Sequence, residues 1–360
     1  MKHRLLVLLA AATIPLGLSL AMAPAGDTTS VTLPPAAKKA PPTELYEIEK
    51  VVDGDTLHLQ RHGKLEKLRL LSVDTEEKMA SGTSPAGTKP PTVFGEECAQ
   101  WAQGFFAALA KPGEKSKIGL SVPGGKEEYD FFGRLLCHVI LPDGTDYNLM
   151  IVEMGKSPYF TKYGFDEADH EAFVAAQRNA QKAQRGIWDP KTNLPSTPGT
   201  PSAQRPYDKL VPWWDARGEA VRGWRDARKK DASKVCDVED ADALAAAART
   251  GEVLDCFGEI AKVDEKPDGA MTVHFRARQR DKAFVVFVPA SAHAALAPVD
   301  LPGMAQEFRQ NYVWFKTRVT ADPKGYFKAE SEAADAWRRA GPEPRLPAGK
   351  EAEKAQPAGH

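Results

Sequence analysis

Cysteine is scarce in this chain: four residues in 360, with no C-x-x-C pair among them. That excludes a zinc ribbon or finger. Cys98, Cys137, Cys236 and Cys256 fall two to each half. In an oxidising compartment the simplest connectivity is Cys98 with Cys137 and Cys236 with Cys256. Two buried thiols are the competing reading for the first pair. Excess charge is also missing, since 48 Lys and Arg face 49 Asp and Glu, a net charge of −1. Tight binding along a phosphate backbone demands a basic surface, so near neutrality excludes an architectural nucleic-acid binder and leaves only transient contact. Long apolar runs are lacking apart from Leu5 to Leu20, which follows Met1-Lys2-His3-Arg4 and precedes the small residues Ala21-Met22-Ala23-Pro24-Ala25. This is the pattern of an export signal. Residues 1–25 are therefore expected to be a signal peptide or an uncleaved anchor, and the protein secreted or periplasmic. Membrane contact is expected only if the segment stays uncleaved. No cysteine follows the apolar run, which argues against a lipoprotein.

The length allows two domains with tails. Residues 26–44, rich in Pro, Ala and Thr, read as a spacer, and 189–206, broken by repeated prolines, as a linker. Between them, 45–188 form one expected domain. Residues 207–338 form a second, helical at first and then β, and 339–360 read as a disordered tail. Within the first, Met79 to Val93 is too rich in Gly, Ser, Thr and Pro for regular structure. Glu96 to Ala110 has helical spacing of Cys98, Trp101, Phe105 and Ala108 against a core. Asn148 is expected to cap a short helix that stops at Gly155. From Asp166 to Arg185 a further helix turns Phe173, Ala176, Ala180 and Ala183 inward, and His170 near its start reads as incidental.

What is present in quantity is carboxylate, gathered in one stretch. From Asp53 to Glu77 the chain reads D-G-D-T-L-H-L-Q-R-H-G-K-L-E-K-L-R-L-L-S-V-D-T-E-E. Leu57 and Leu59 alternate with Thr56, His58 and Gln60, the period of a half-buried strand; His62-Gly63 fits a hairpin turn. Leu65, Leu68, Leu70 and Leu71 make a second, more buried strand. The hairpin returns Asp74, Glu76 and Glu77 towards Asp53 and Asp55. Carboxylates so gathered repel unless a cation sits among them, and oxygen donors without His or Cys favour a hard ion such as calcium or magnesium. Two solvated acidic turns flanking a hairpin are the plainer reading. Arg69 lies in the hairpin's second strand, and another arginine, in D-F-F-G-R from Asp130 to Arg134, stands at the start of another apolar strand. Two arginines beside an acidic metal site suit a phosphodiester, whose developing charge they neutralise while a spare carboxylate activates water.

The order D-G-D-T, R-L-x-x-V-D-T-x-E, D-x-x-G-R and G-x-W, from about Tyr46 to Trp188, resembles the staphylococcal nuclease (thermonuclease) family. The resemblance implies an α+β fold, a five-stranded OB-type barrel with three helices, that hydrolyses DNA and RNA with calcium. It implies Asp55 and Asp74 as metal ligands with the Thr75 carbonyl, Glu77 as general base or orienter of water, Arg69 and Arg134 as phosphate clamps, and Asp53 as an outer acid. Tyr163, with Tyr159 as a neighbour, falls near a nucleotide-contacting position. Glu76 stands where the family usually has proline, adding negative charge near the metal. Phe131 and Phe132 replace a lysine and a tyrosine. A non-catalytic nuclease-like module that binds nucleic acid or protein is the alternative; the complete set of acids and arginines favours the enzyme.

In the second half, Trp213, Trp214, Arg217, Trp224, Arg225 and Arg228 lie on a helix expected to dock on its own domain rather than stack on bases. Val253 to Val263, Met271 to Arg278, Ala283 to Val288, Tyr312 to Ala321 and Tyr326 to Ala329 read as strands, with a helical insert after the third. That is the order of a second, OB-like β domain. Strand alternation puts His274, Arg276 and Arg278 on one face and Trp314, Lys316 and Arg318 on another. If those strands are neighbours, the residues form a basic, partly aromatic patch suited to single-stranded nucleic acid. Solvated strand faces are the competing reading.

Overall fold

The computed structural model describes residues 38–78, 91–130, 132–194, 205–277, 282–331 and 336–347. The expected signal segment, most of the 79–93 loop, Phe131, the middle of the linker, Arg278 and the end of the tail lie outside these. Among the described residues no helix is long and apolar enough to cross a membrane.

The first half is a closed barrel of five strands: β1 (Tyr46–Val51), β2 (Thr56–Arg61), β3 (Lys64–Leu70), β4 (Lys117–Ser121) and β5 (Leu135–Ile140), in the order β1-β2-β3-β5-β4. The β2–β3 hairpin forms as its sequence requires, and His62 and Gly63 both take the positive φ of the tight turn that matches strand twist. Leu57, Leu59, Leu68 and Leu70 are buried, but Leu65 is not: it lies one residue from the turn and is half exposed. β3 and β5 run parallel, with Arg69 opposite Leu136, so Arg69 and Arg134 share one face of adjacent strands.

Three helices pack on the barrel: α1 (Val93–Leu109), α2 (Tyr147–Glu153) and α3 (His170–Lys182). On α1 the buried positions are Gly95, Cys98, Ala99, Ala102 and Phe106, so the core-facing stripe is rotated from the expected one and Ala108 is exposed. The cap of α2 is Asp146, whose side chain accepts from Leu149 N at 3.1 Å. Asn148 instead is buried and satisfies backbone groups of Leu71, Cys137 and Val139. On α3, Phe173, Ala176 and Ala180 are buried as their spacing requires. The end of the spacer is held to the barrel: Lys39 N donates to Gly144 O at 2.8 Å, and Lys38 pairs with Asp143.

The second half begins with α4 (Tyr207–Lys230), followed by β6 (Val235–Asp237), α5 (Ala241–Thr250), β7 (Val253–Glu265), β8 (Met271–Phe275), β9 (Phe284–Val288), α6 (Ala290–Leu296), α7 (Leu301–Met304), β10 (Tyr312–Arg318), β11 (Thr320–Ala321), β12 (Phe327–Glu330) and β13 (Trp337–Arg339). Its strands repeat the barrel's topology. β7, β8 and β9 are antiparallel neighbours, β12 joins β9 in parallel as β5 joins β3, and β10 flanks β7 as β4 flanks β1. Both leading strands carry a bulge, at Ile48/Lys50 and at Ile260/Lys262. The difference is closure. β4 pairs with β5, whereas among the described residues β10 and β12 share no ladder and β10 pairs with β13. The second module is thus an OB-ordered sheet left open. Its core, including Cys256, Phe275, Phe284 and Phe315, is separate from that of the barrel.

α4 docks, but on both halves rather than on its own domain alone. Trp214 is buried edge-to-face on Phe160 of the barrel, while Ala220 and Val221 cover Phe257, Tyr312 and Trp314 of the sheet. All four cysteines are buried free thiols, so neither expected disulfide is formed, although Cys236 and Cys256 are register partners on β6 and β7. At the tail, Glu343 pairs with Arg309 and Arg339, so order extends past β13.

One buried charge cluster fixes α2 and the loop before α3 to β5. His138 Nδ1 lies 3.0 Å from Asp146 and Nε2 lies 2.8 Å from Asp166. Burial alone would discourage its charge, but hydrogen bonds to the two carboxylates outweigh that and lift it to about 9. The imidazolium therefore stabilises the fold fully below pH 6.5, and its contribution is lost as the pH climbs through about 9. Urea unfolding of the parent protein should show up to ~3 kcal/mol less stability at pH 9.5 than at pH 6. His138→Asn should be less stable throughout and lack that slope; equal slopes in the two proteins would contradict the assignment.

Candidate active site

Between β1 and β2 the chain makes a tight acidic turn in which Asp53 Oδ1 accepts from Asp55 N at 3.1 Å. Asp55 is buried, and its Oδ2 accepts from Thr75 N at 2.8 Å and from Thr75 Oγ1 at 3.1 Å. The start of β2 is thereby tied to the segment leaving β3. That segment turns at Ser72, whose φ is 63°, and Asp74 N is held by Ser157 Oγ at 2.8 Å. The hairpin brings Arg69 opposite Thr56. Its guanidinium spans both acids, Nη1 to Asp55 Oδ1 at 2.6 Å and Nη2 to Asp74 Oδ1 at 3.0 Å.

Asp53 belongs to the same cluster. Burial, and then the nearby charges of Asp55 and Glu77, push its carboxyl up to about 7. Asp53, Asp55, Arg69, Asp74, Thr75 and Glu77 are thus brought together as the sequence motif requires. Arg134 stands on the same face of β5, clasped by Asp130, which takes its Nε at 2.7 Å and its backbone N at 2.9 Å. Burial would raise Asp130, but these bonds hold it below the usual carboxylate range. Phe132 is exposed, with the Arg134 guanidinium 5.4 Å from its ring centre.

Glu76 does not add its charge to this cluster. Its buried carboxylate accepts from Thr92 Oγ1, from Asn193 Nδ2 at 2.6 Å and from Tyr207 OH at 3.1 Å. It thus ties the start of α1, the region after Trp188 and the start of α4 behind the site. Arg205, at the end of the linker, reaches further in: its Nη1 donates to Asp74 Oδ2 at 3.1 Å, and its guanidinium lies against the rings of Tyr207 and Trp214. Both oxygens of Asp74 therefore meet arginines. Nothing in a proline-rich linker marks Asn193 or Arg205 as part of a site; the only available signal was an arginine interrupting that composition.

The tyrosines separate. Tyr163 is 55% exposed at the rim. Tyr159 is buried, stacked on Phe173 with its hydroxyl bonded to His170, and so it is a core residue closed to any ligand. Among the described residues the expected basic patch on the second module is not assembled; Arg278 lies outside them. β7 lies between β8 and β10, and α4 covers the second face of β10, so Trp314 is buried against Phe257 and capped by Arg338. Arg276 is drawn to Glu259 at 3.0 Å, Arg318 bonds the Gly251 carbonyl, and Lys316 is exposed.

For a metal, the donor chemistry fits a hard cation. Asp55 and Asp74 converge on one guanidinium and so aim at one volume, with only oxygen donors present. Among the described residues no cluster of three or more His, Cys, Asp or Glu side chains is set to hold an ion unaided. Backbone oxygen and water would therefore complete the coordination.

A closed five-stranded barrel of this order, with an Asp-Arg-Asp cluster at one end, is consistent with the staphylococcal-nuclease type of OB fold. Residues 67–190 match the family model described as staphylococcal nuclease homologue, a match confined to the N-terminal half. That span contains Arg69, Asp74, Thr75, Glu77 and Arg134; Asp53 and Asp55 precede it. Among similar proteins is the endonuclease YhcR of Bacillus subtilis (strain 168), 33% identical over 165 residues, covering 43% of this chain and 13% of that protein. The thermonuclease of Staphylococcus hyicus is 27% identical over 148 residues, 40% of this chain and 76% of its own. An uncharacterized endonuclease of Escherichia coli is 23% identical over 148 residues, 41% and 79% respectively. The chain thus spans only a small part of the Bacillus relative, and its second half lies outside these likenesses. At family level they support a nuclease.

The close approach that sets Glu77 can be tested through stability. A Cβ on Gly95, in the first turn of α1, would stand 2.1 Å from the Glu77 carbonyl oxygen, so α1 packs on that backbone only because the position is bare. Gly95→Ala should cost ~2–4 kcal/mol by urea unfolding. Gly104→Ala, on the same helix with nothing within 4 Å, should be neutral or stabilise by about 0.5–1 kcal/mol. Equal midpoints for the two variants would contradict the packing described.

Proposed function

We propose that this protein is an exported, calcium-dependent endonuclease that hydrolyses the phosphodiester bonds of DNA and RNA. The observation that carries this reading is the convergence of two buried carboxylates on Arg69 within a family of nucleases. Asp55 and Asp74, with the Thr75 carbonyl, would hold calcium, which when bound supplies charge to neutralise a phosphoryl oxygen and to acidify water. Glu77, half-buried beside Asp53, orients the attacking water or takes its proton. Arg69 and Arg134 donate to the phosphate oxygens, where a preorganised guanidinium stabilises the charge that builds in the transition state. Asp130 holds Arg134 through Nε and Nη2, which fixes the plane of the fork and turns its Nη1 side to the substrate. The second module lies outside the nuclease likeness, and the non-catalytic alternative has no residue of the acid–arginine set missing to recommend it.

Purified protein should degrade single- and double-stranded DNA and RNA in calcium and stop when a chelator is added. Glu77→Gln, an isosteric change on a half-buried residue, should retain the parent's melting temperature and lose about 10²–10³ in rate. Full activity in that variant, or hydrolysis indifferent to chelator, would sink the proposal.

A further inference from the structure

Outside the acid cluster, three cations meet where the barrel abuts the second sheet. Arg217 on α4 is fully buried and donates to Glu259 of β7 at 2.8 Å, Asn311 at 3.0 Å and the hydroxyl of Tyr312 at 3.3 Å. Arg276, just past β8, shares Glu259 while leaving 46% of its side chain exposed. Lys162, beside Tyr163 on the barrel, is joined to them because Arg217 Nε donates to its carbonyl at 3.3 Å. The Lys162 ammonium has aromatic neighbours instead: it lies 5.3 Å from the centre of the Trp213 ring and 5.6 Å from that of Tyr163. Among the described residues no carboxylate is within ion-pair distance of it.

Two of the three cations therefore share one carboxylate, Glu259, and Lys162 touches none, while Glu239 acts on Arg276 from further away. A partly buried excess of positive charge is costly unless an anion completes it. The burden shows at Lys162: burial, then the charge of Arg217 and that of Arg276, lower its affinity for the proton to about 8. Solvent reaches the cluster through Tyr163 and Arg276, and both Lys162 and Tyr163 feel the charge of Asp74. The cluster adjoins the acid site through the backbone: Val73 bridges to Tyr159, and Phe160 N donates to Ser72 O at 2.9 Å, so the segment carrying Lys162 and Tyr163 runs beside the one that leads into Asp74. Cations interleaved with aromatic rings are what an unpaired strand needs, phosphates meeting the cations and bases the rings.

We propose that Lys162 and Arg276, flanked by Tyr163 and Trp213, form a phosphate-binding subsite for single-stranded nucleic acid leaving the acid cluster towards the second module. The inference rests on the nuclease reading. It gives the second half a role in substrate binding through the seam, at residues contributed by both halves.

The test uses the full chain with Lys162→Gln, Arg276→Gln and both together, and Lys162→Arg as the charge-preserving control. Affinity for a labelled single-stranded oligonucleotide is read by fluorescence anisotropy with chelator present, so that binding is scored whether or not hydrolysis occurs. The double variant should bind roughly 10-fold more weakly, with a salt slope smaller by about 0.7 for each phosphate that no longer meets a cation, and Lys162→Arg should bind like the parent. In calcium, KM for long single strands should rise while kcat, and cleavage of a chromogenic nucleotide diester too short to reach the seam, stay unchanged. Unchanged affinity and salt slope in the double variant would overturn the subsite. An equal fall on the short diester would also overturn it, because the residues would then be supporting the acid cluster. A parent protein that binds the oligonucleotide through these residues but cuts nothing would overturn the nuclease reading alone.

Discussion

Arg69 bridging Asp55 and Asp74 is the interaction on which the rest of the first half depends. Two carboxylates in a low-dielectric interior are tolerable only if paired and fully hydrogen-bonded. The barrel meets that demand with a guanidinium fork and with the Thr75 backbone and hydroxyl. The demand fixes local geometry in turn. β2 and β3 must pair in the register that sets Thr56 against Arg69, the chain must turn at Ser72, and Ser157 must reach the backbone of Asp74. Glu76 turns away into its own set of donors, which keeps a further negative charge out of the cluster.

The second half is more than an appended domain. Its open sheet repeats the strand order of the barrel, and α4 is wedged between the two, burying Trp214 on one side and covering Tyr312 and Trp314 on the other. Arg205 and Tyr207, at the junction of linker and helix, deliver one hydrogen bond each to Asp74 and Glu76. The acid site is consequently buttressed by residues that lie beyond the span matching the nuclease family.

Much of this was legible in the sequence, for identifiable reasons. The hairpin announces itself by its period of two and its His-Gly turn, and the acids that flank it must meet when it closes. The second-half strands β7, β8, β9, β10 and β12 were legible in the same way, whereas the short β6 and β13 were not. What was not legible depends on partners distant in sequence. Leu65 reads as core by pattern, but the barrel ends there. Asn148 reads as a cap, yet Asp146 two residues earlier takes the role, leaving the amide to satisfy a strand edge. Trp314 reads as the exposed face of a half-buried strand because alternation assumes solvent on one side, and α4 removes that solvent. Arg205 was hidden by its surroundings, since linker composition says nothing of where the chain lands.

The claim that the acid–arginine cluster is a hydrolytic centre built on the geometry of Arg69 is met most directly by Arg69→Lys. Lysine keeps the charge that buried Asp55 and Asp74 require but loses the planar fork. Hydrolysis of DNA in calcium should fall by roughly 10²-fold, while unfolding by urea shows a cooperative transition with most of the parent's stability retained. Parental turnover in that variant would contradict the account.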